Sequence, residues 1–265
     1  MRVGTEGKSM APPLSSTSMI DEQPLISSGL VYRLTAGVAV LAALTVAITI
    51  GGRWLGEKIS LAGHTDSIRP ITVTIGEDTL RLGANTIRFP SERANGIAER
   101  VDLYMTWPQM QGYSDVDRLR FDDTSQSSSL IFLQISQSTM SRDMSGRLEP
   151  IYSHLMEGQA FAGPHGLTAH PLRADAGYSG EVLLTAPRAG EPDYVVRCIL
   201  PASPDLATSG DCQRDVKVGK DLSVLYRFSA NQLADWQAMD AVVQGFVKSH
   251  LIDAPDAGGI SASDG

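Results

Sequence analysis

Residues 222–247 read LSVLYRFSANQLADWQAMDAVVQGFV. The first seven, Leu222–Phe228, form a strand pattern. Ser229 then opens Ser-x-x-Gln, a capping box in which Ser229 and Gln232 satisfy each other's backbone donors. From there Leu233, Trp236, Val243, Phe246 and Val247 fall on one helical face. A strand running straight into a capped amphipathic helix predicts a sheet with the helix closed against it and Trp236 buried.

Working outward, other stretches carry the same period of two. Ile71–Ile75 alternates, Thr79–Leu82 follows a Gly-Glu-Asp turn, and Asn85–Phe89 stops at Pro90. Val101–Met105 ends at Trp107-Pro108. Leu130–Ile135 is more fully apolar and reads as a central strand. Gly180–Leu184, Tyr194–Leu200 and Gln213–Val218 complete the set. A mid-chain helix is expected over Met144–Met156, with Leu148, Ile151, Tyr152 and Leu155 on one face; Pro150 delays its start. The fold class expected is α+β: an antiparallel sheet with a mid-chain and a C-terminal helix packed on it.

Residues 34–52, LTAGVAVLAALTVAITIGG, hold 19 residues without a charge or a proline. As a helix they span roughly 28 Å, the hydrocarbon thickness of a bilayer. Arg33 and Arg53 bracket them, with Tyr32 and Trp54 as interfacial aromatics. A cleaved signal peptide is the alternative. It would need a 33-residue leading region, and its small-x-small site, Ser60-Leu61-Ala62, lies beyond Arg53, Glu57 and Lys58. An uncleaved single span fits better. His64 stands where a lipobox would need cysteine.

The organisation expected is a disordered tail over 1–30, a transmembrane helix over 31–55, a linker over 56–69, an α+β domain over 70–252 and a second disordered tail over 253–265. The chain has 265 residues and a net charge of −8. Residues 1–33 hold three basic and three acidic groups and 34–52 none, so the whole −8 follows residue 52. An acidic body repels phosphate backbones, so no nucleic-acid partner is expected.

Basic residues on the two sides of the span are balanced, so orientation rests on the cysteines. Cys198 and Cys212, the only two, flank a turn-rich stretch between strand patterns. A disulfide across a hairpin would require an oxidising compartment and would stabilise the fold by roughly 3 kcal/mol. Two free buried thiols are the alternative. With the disulfide, the N-terminus is cytoplasmic and the domain periplasmic, on the inner membrane.

No Gly-x-Ser-x-Gly, Ser-x-x-Lys, P-loop or Gly-x-Gly-x-x-Gly motif is present. His154, His165 and His170 cluster within 17 residues, yet only Glu157 lies near them. They read as surface histidines rather than zinc ligands. Asp115, Asp117, Asp122 and Asp123 lack calcium-loop spacing. No metal, cofactor or catalytic residue is assigned. The candidate binding loop is Trp107-Pro108-Gln109-Met110-Gln111-Gly112-Tyr113. Trp107, Met110 and Tyr113 are interface-forming residue types. Two readings stand: exposed, they form a partner site; tucked under the loop, they are core.

Across residues 130–250, the order of a strand, helix, short strand, three-strand meander and amphipathic helix resembles the Mog1/PsbP-like sandwich. The whole chain, through Trp107-Pro108, Gly112-Tyr113, Arg197-Cys198 and Tyr226-Arg227-Phe228, resembles transmembrane-anchored envelope proteins of unknown function from alphaproteobacteria. The resemblance implies a binding or assembly fold and no catalytic activity. The function expected is a membrane-anchored periplasmic domain binding an envelope protein or the cell wall. The alternatives are an envelope hydrolase using His154, His165 or His170, and an accessory subunit packing through Ala39, Ala43 and Ala47.

Overall fold

A computed structural model describes residues 28–60 and 63–252. The chain divides into two compact units, residues 1–57 and 58–265. In the first, helix α1 spans Ser28–Ser60. Its stretch Gly29–Ile50 has a mean hydropathy of 1.9 and is long and apolar enough to cross a membrane. Its three threonine hydroxyls are satisfied locally. Thr35, Thr45 and Thr49 each donate their hydroxyl to the carbonyl four residues earlier, at 2.8–2.9 Å. These three hydroxyls therefore do not oppose insertion into lipid.

The second unit opens with β1 (Pro70–Ile75), β2 (Asp78–Gly83), β3 (Gly96–Ile97) and β4 (Arg100–Thr106). A one-turn helix α2 (Arg118–Asp122) precedes β5 (Leu130–Gln137), β6 (Phe161–Ala162) and β7 (Thr168–Pro171). A meander of β8 (Val182–Arg188), β9 (Glu191–Cys198), β10 (Cys212–Val218) and β11 (Leu222–Phe228) follows. Helix α3 (Trp236–His250) and β12 (Leu251–Ile252) close the fold. The strands form a small sheet, β12-β2-β1-β3, and a large antiparallel sheet, β4-β5-β11-β10-β9-β8-β7-β6. β5 is an interior strand, one in from the β4 edge rather than at the centre.

Alternation sorts the large sheet's side chains between its two faces. Val101, Leu133, Val224, Tyr226 and Val196 enter one core with Ile71 and Ile75 of the small sheet and Leu233, Met239 and Val243 of the C-terminal helical segment. The capping box is present: Asn231 donates its backbone N–H to the Ser229 hydroxyl at 3.3 Å, and Ser229 donates its own to Gln232 Oε1 at 3.3 Å. The first turns after it, Ala230–Asp235, are 3₁₀, and the α-helix begins at the buried Trp236.

On the opposite face, Leu183 and Val195 form a smaller core with Met144, Tyr152 and Leu172. The segment covering them is the one expected to be a helix. It forms two 3₁₀ turns instead, Ser145–Arg147 and Tyr152–His154. Pro150 removes a donor and restricts the residue before it, so no continuous helix crosses the segment. Ile151, expected to face inward, is 42% exposed. Asn85–Phe89 also departs from expectation: a 3₁₀ turn at Ala84–Thr86 leads to a single bridge, Ile87 with Leu103. Gly112 accounts for the turn's company, since any side chain there would meet the Asn85 carbonyl oxygen at 2.7 Å.

Helix and large sheet are joined by a buried ion pair. Arg214 occupies an inward position of β10 and is 1% exposed. Its Nε and Nη2 donate to the two oxygens of Asp240 on α3, at 2.8 and 2.7 Å. Its Nη1 donates to the Val195 carbonyl at 2.6 Å and to the Ser145 hydroxyl at 3.1 Å. Tyr226 donates its hydroxyl to Asp240 at 2.6 Å, and Arg188 adds a bond at 2.9 Å. The Tyr194 ring lies 4.7 Å from the Arg214 guanidinium. Every face of the charge is thus covered, which is what an interior charge requires.

Burial pushes the Asp240 carboxyl up, but the bonds and charge of Arg214, with the Tyr226 hydroxyl, outweigh it and hold it below 3.8. The stability it contributes is therefore present above the unfolded aspartate value and lost as pH falls through the lower folded value. Asp240→Ala should lower the unfolding free energy by about 3–5 kcal/mol in urea at neutral pH, because it strands Arg214. A loss under about 1 kcal/mol would show that the pair does not hold the helix.

Candidate functional site

The face of the large sheet turned away from α3 is covered over β8 and β9 and open over its neighbours. Its floor presents Asp102 of β4, Phe132 and Gln134 of β5, and Leu225 and Arg227 of β11. These residues alternate with core residues, so burying one set turns the other outward. Arg88 and Phe89 form one wall, Ser209 and Gly210 another, and the cleft between them holds about 560 Å³. A second cleft of about 300 Å³ shares Gln134 and Leu225 with it and continues toward Arg142, Arg147 and Arg197.

Two local features position the walls. Cys198 and Cys212 are paired in register on β9 and β10 and joined as a disulfide. That closes the loop carrying Ser209 and Gly210. Asp211 then pins the loop's base, accepting from the Thr208 backbone at 3.0 Å and the Ala230 backbone at 3.1 Å. On the other side, Arg88 lies with its guanidinium carbon 5.0 Å from the Phe132 ring and 5.1 Å from Phe89. Two ring faces hold that cation in place.

Arginines outnumber carboxylates in the two clefts. Arg100 pairs with Asp102 at 3.2 Å, Arg197 with Glu181 at 2.6 Å, and Arg147 with Asp215. Burial raises the Asp215 carboxyl against the pull of Arg147. Among the described residues, Arg88 and Arg227 of the first cleft and Arg142 of the second have no carboxylate partner, and all three are exposed. Across the two clefts this chain can offer a ligand three guanidinium groups without a carboxylate partner, aromatic rings, and the amides and hydroxyls of Gln134, Ser136 and Ser223.

The loop singled out from the sequence lies elsewhere. Trp107 is 6% exposed and donates its indole N–H to Asp235 at 2.8 Å, tying the loop to the turns before α3. Tyr113 is fully buried, and Met110 is half-buried against the main core. Of the two readings of the aromatics, the structure places them as core. Pro108, Gln109 and Gln111 are the residues this loop exposes. The histidines are also apart: His170 meets the Thr185 hydroxyl at 3.0 Å, while the His165 carbonyl accepts from Trp236. Among the described residues, no three His, Cys, Asp or Glu side chains gather around a common point for a metal.

One arrangement had no sequence signal. His64 stacks on Tyr113, with centroids 4.7 Å apart, and on Tyr104 at 5.3 Å. Its Nδ1 is hydrogen-bonded to the Tyr104 hydroxyl at 2.8 Å and its Nε2 faces Asp122 at 3.3 Å. Burial pushes the Tyr104 hydroxyl up to about 12, against the opposing charge of Arg93. The three polar residues are 40 and 18 positions apart in sequence. Only the register of β4 and the turn of α2 bring them together. The cleft arginines, at 88, 100 and 227, were equally scattered.

No family model matches this chain, and no curated protein does. The Mog1/PsbP-like resemblance therefore rests on element order alone, and the resemblance to anchored envelope proteins on its residues alone. Among solved structures, the chain is similar to an immunity protein of the Stenotrophomonas maltophilia type IV secretion system. That match has 18% identity and a TM-score of 0.48 and covers 72% of this chain and 96% of that one. It is also similar to the iron-regulated outer membrane lipoprotein FrpD of Neisseria meningitidis. There the identity is 11% and the TM-score 0.38, over 71% of this chain and 97% of that one. Both likenesses are loose.

Burial holds the His64 imidazole below its ordinary 6.5, against the pull of Asp122; Arg93 and Arg88 push the same way as burial. The stability of a neutral His64 is thus complete above 6.5 and is lost as pH falls through the lower folded value. From about pH 7 to about pH 5, the wild-type urea midpoint should fall further than that of His64→Gln. Equal falls would contradict this account of the cluster.

Proposed function

We propose that α1 is an uncleaved single-pass anchor in the inner membrane and that the α+β domain lies in the periplasm. There it acts as a non-enzymatic binding or assembly factor for an envelope component. The observation that carries the reading is the Cys198–Cys212 disulfide, which uses both cysteines of the chain. Such a bond forms and persists outside the reducing cytoplasm. With an apolar helix ahead of it, the domain is delivered across the membrane and the N-terminus stays behind.

The binding face is the open side of the large sheet. It is concave and polar, and the disulfide-closed loop fixes one of its walls. Anchoring ties the domain to the membrane. A membrane-bound partner then meets it at a raised effective concentration, without any added contact.

A fusion of alkaline phosphatase to the C-terminus should be active, and a fusion of green fluorescent protein dark. Alkaline carbonate should leave the intact chain in the membrane fraction. A fluorescent C-terminal fusion, or release by carbonate, would overturn the reading.

A further inference from the structure

We infer that the open sheet face takes an extended acidic peptide segment of a protein partner, its carboxylates seated on Arg88 and Arg227. This rests on the open face being the binding face and adds the chemistry of what binds there. In a body carrying the whole net charge of −8, arginines lining an open cleft are expected to pair with nearby carboxylates. Arg100, Arg147 and Arg197 do so. Arg88, Arg142 and Arg227 do not; Arg142 stands alone in the second cleft, whereas Arg88 and Arg227 line the first together. Arg88 is also held against Phe132 and Phe89, so less of its side-chain freedom remains to be lost when it binds a ligand.

Shape selects the ligand class. The two clefts share Gln134 and Leu225, and together they cross β4, β5, β11, β10 and β9. Four inter-strand spacings make a trough of roughly 19 Å. An extended peptide fills that with about six residues. A compact anion such as phosphate fills one end only.

Charge pattern then separates a peptide from a polyphosphate. The trough has carboxylates in its floor, Asp102 beside the arginine end and Asp215 farther along. A polymer with a charge on every unit must pass over both. A peptide can place acidic residues on Arg88 and Arg227 and neutral ones over Asp102 and Asp215. Gln134, Ser136 and Ser223 then supply donors and acceptors for its backbone. The acidic surface elsewhere repels such a segment, which confines it to the trough.

The test uses the full chain in detergent and a fluorescein-labelled peptide alternating glutamate with threonine, (Glu-Thr)₅, read by anisotropy. Wild type should bind it, with affinity falling as salt rises. Arg88→Glu with Arg227→Glu should weaken binding at least tenfold, and Arg88→Gln with Arg227→Gln should weaken it less. Arg81→Glu, an exposed arginine on β2 outside the trough, should leave it unchanged. Both target arginines are exposed, so the thermal midpoint should stay at the wild-type value and report that the variants are folded. The inference is overturned if wild type does not bind, if (Gln-Thr)₅ binds equally well, or if the double glutamate variant binds as wild type does. Preferential capture of inorganic polyphosphate over the peptide would also overturn it. None of these outcomes depends on the compartment of the domain, so this test and the fusion test fail independently.

Discussion

A guanidinium cannot sit in an apolar interior without a carboxylate to meet it, and Arg214 sits in this one. The strand that carries it alternates Cys212, Arg214, Val216 and Val218 toward the core. Asp240 answers from α3 with both oxygens. That pairing orients the helix as well as attaching it, because a bidentate fork has one good geometry. Hydrophobic contact alone would let α3 slide along the sheet. The ion pair, with Tyr226 and Arg188 around it, selects one position.

The two faces of the large sheet differ as a consequence. One is sealed by α3 and the small sheet. The other is covered only where residues 144–156 lie over Leu183 and Val195. Over β4, β5, β11 and β10 it stays open, and the outward half of each strand's alternation lines it. Arginines consequently serve opposite ends. Arg214 is spent inside on structure, while Arg88 and Arg227 remain available outside. The disulfide belongs to the second role as much as to stability, since it closes the loop that walls the cleft.

Much of the fold was legible in the residues. Leu222–Phe228, the Ser229 cap and the apolar face of the following helix were read as they stand, because each local signal agreed with the tertiary outcome. The paired cysteines were legible for the same reason: they end and begin neighbouring strands. Where local signals conflicted, the reading failed. Helical spacing over 144–156 competed with Pro150 and lost. Alternation over Asn85–Phe89 yielded to the close approach of Gly112 to Asn85. Residue type alone marked Trp107 and Tyr113 as interface candidates; burial depends on what packs above them, here Asp235 and His64, which are distant in sequence. The cleft and the His64 cluster were illegible because their members meet only through strand register.

The central claim is that this chain divides its arginines between a sealed interior and an open sheet face. Arginine modification of the native protein by phenylglyoxal, mapped by peptide mass spectrometry over time, tests it most directly. The account predicts rapid labelling of Arg88 and Arg227, with Arg214 protected until the protein unfolds. Labelling of Arg214 at the rate of the other two would contradict it.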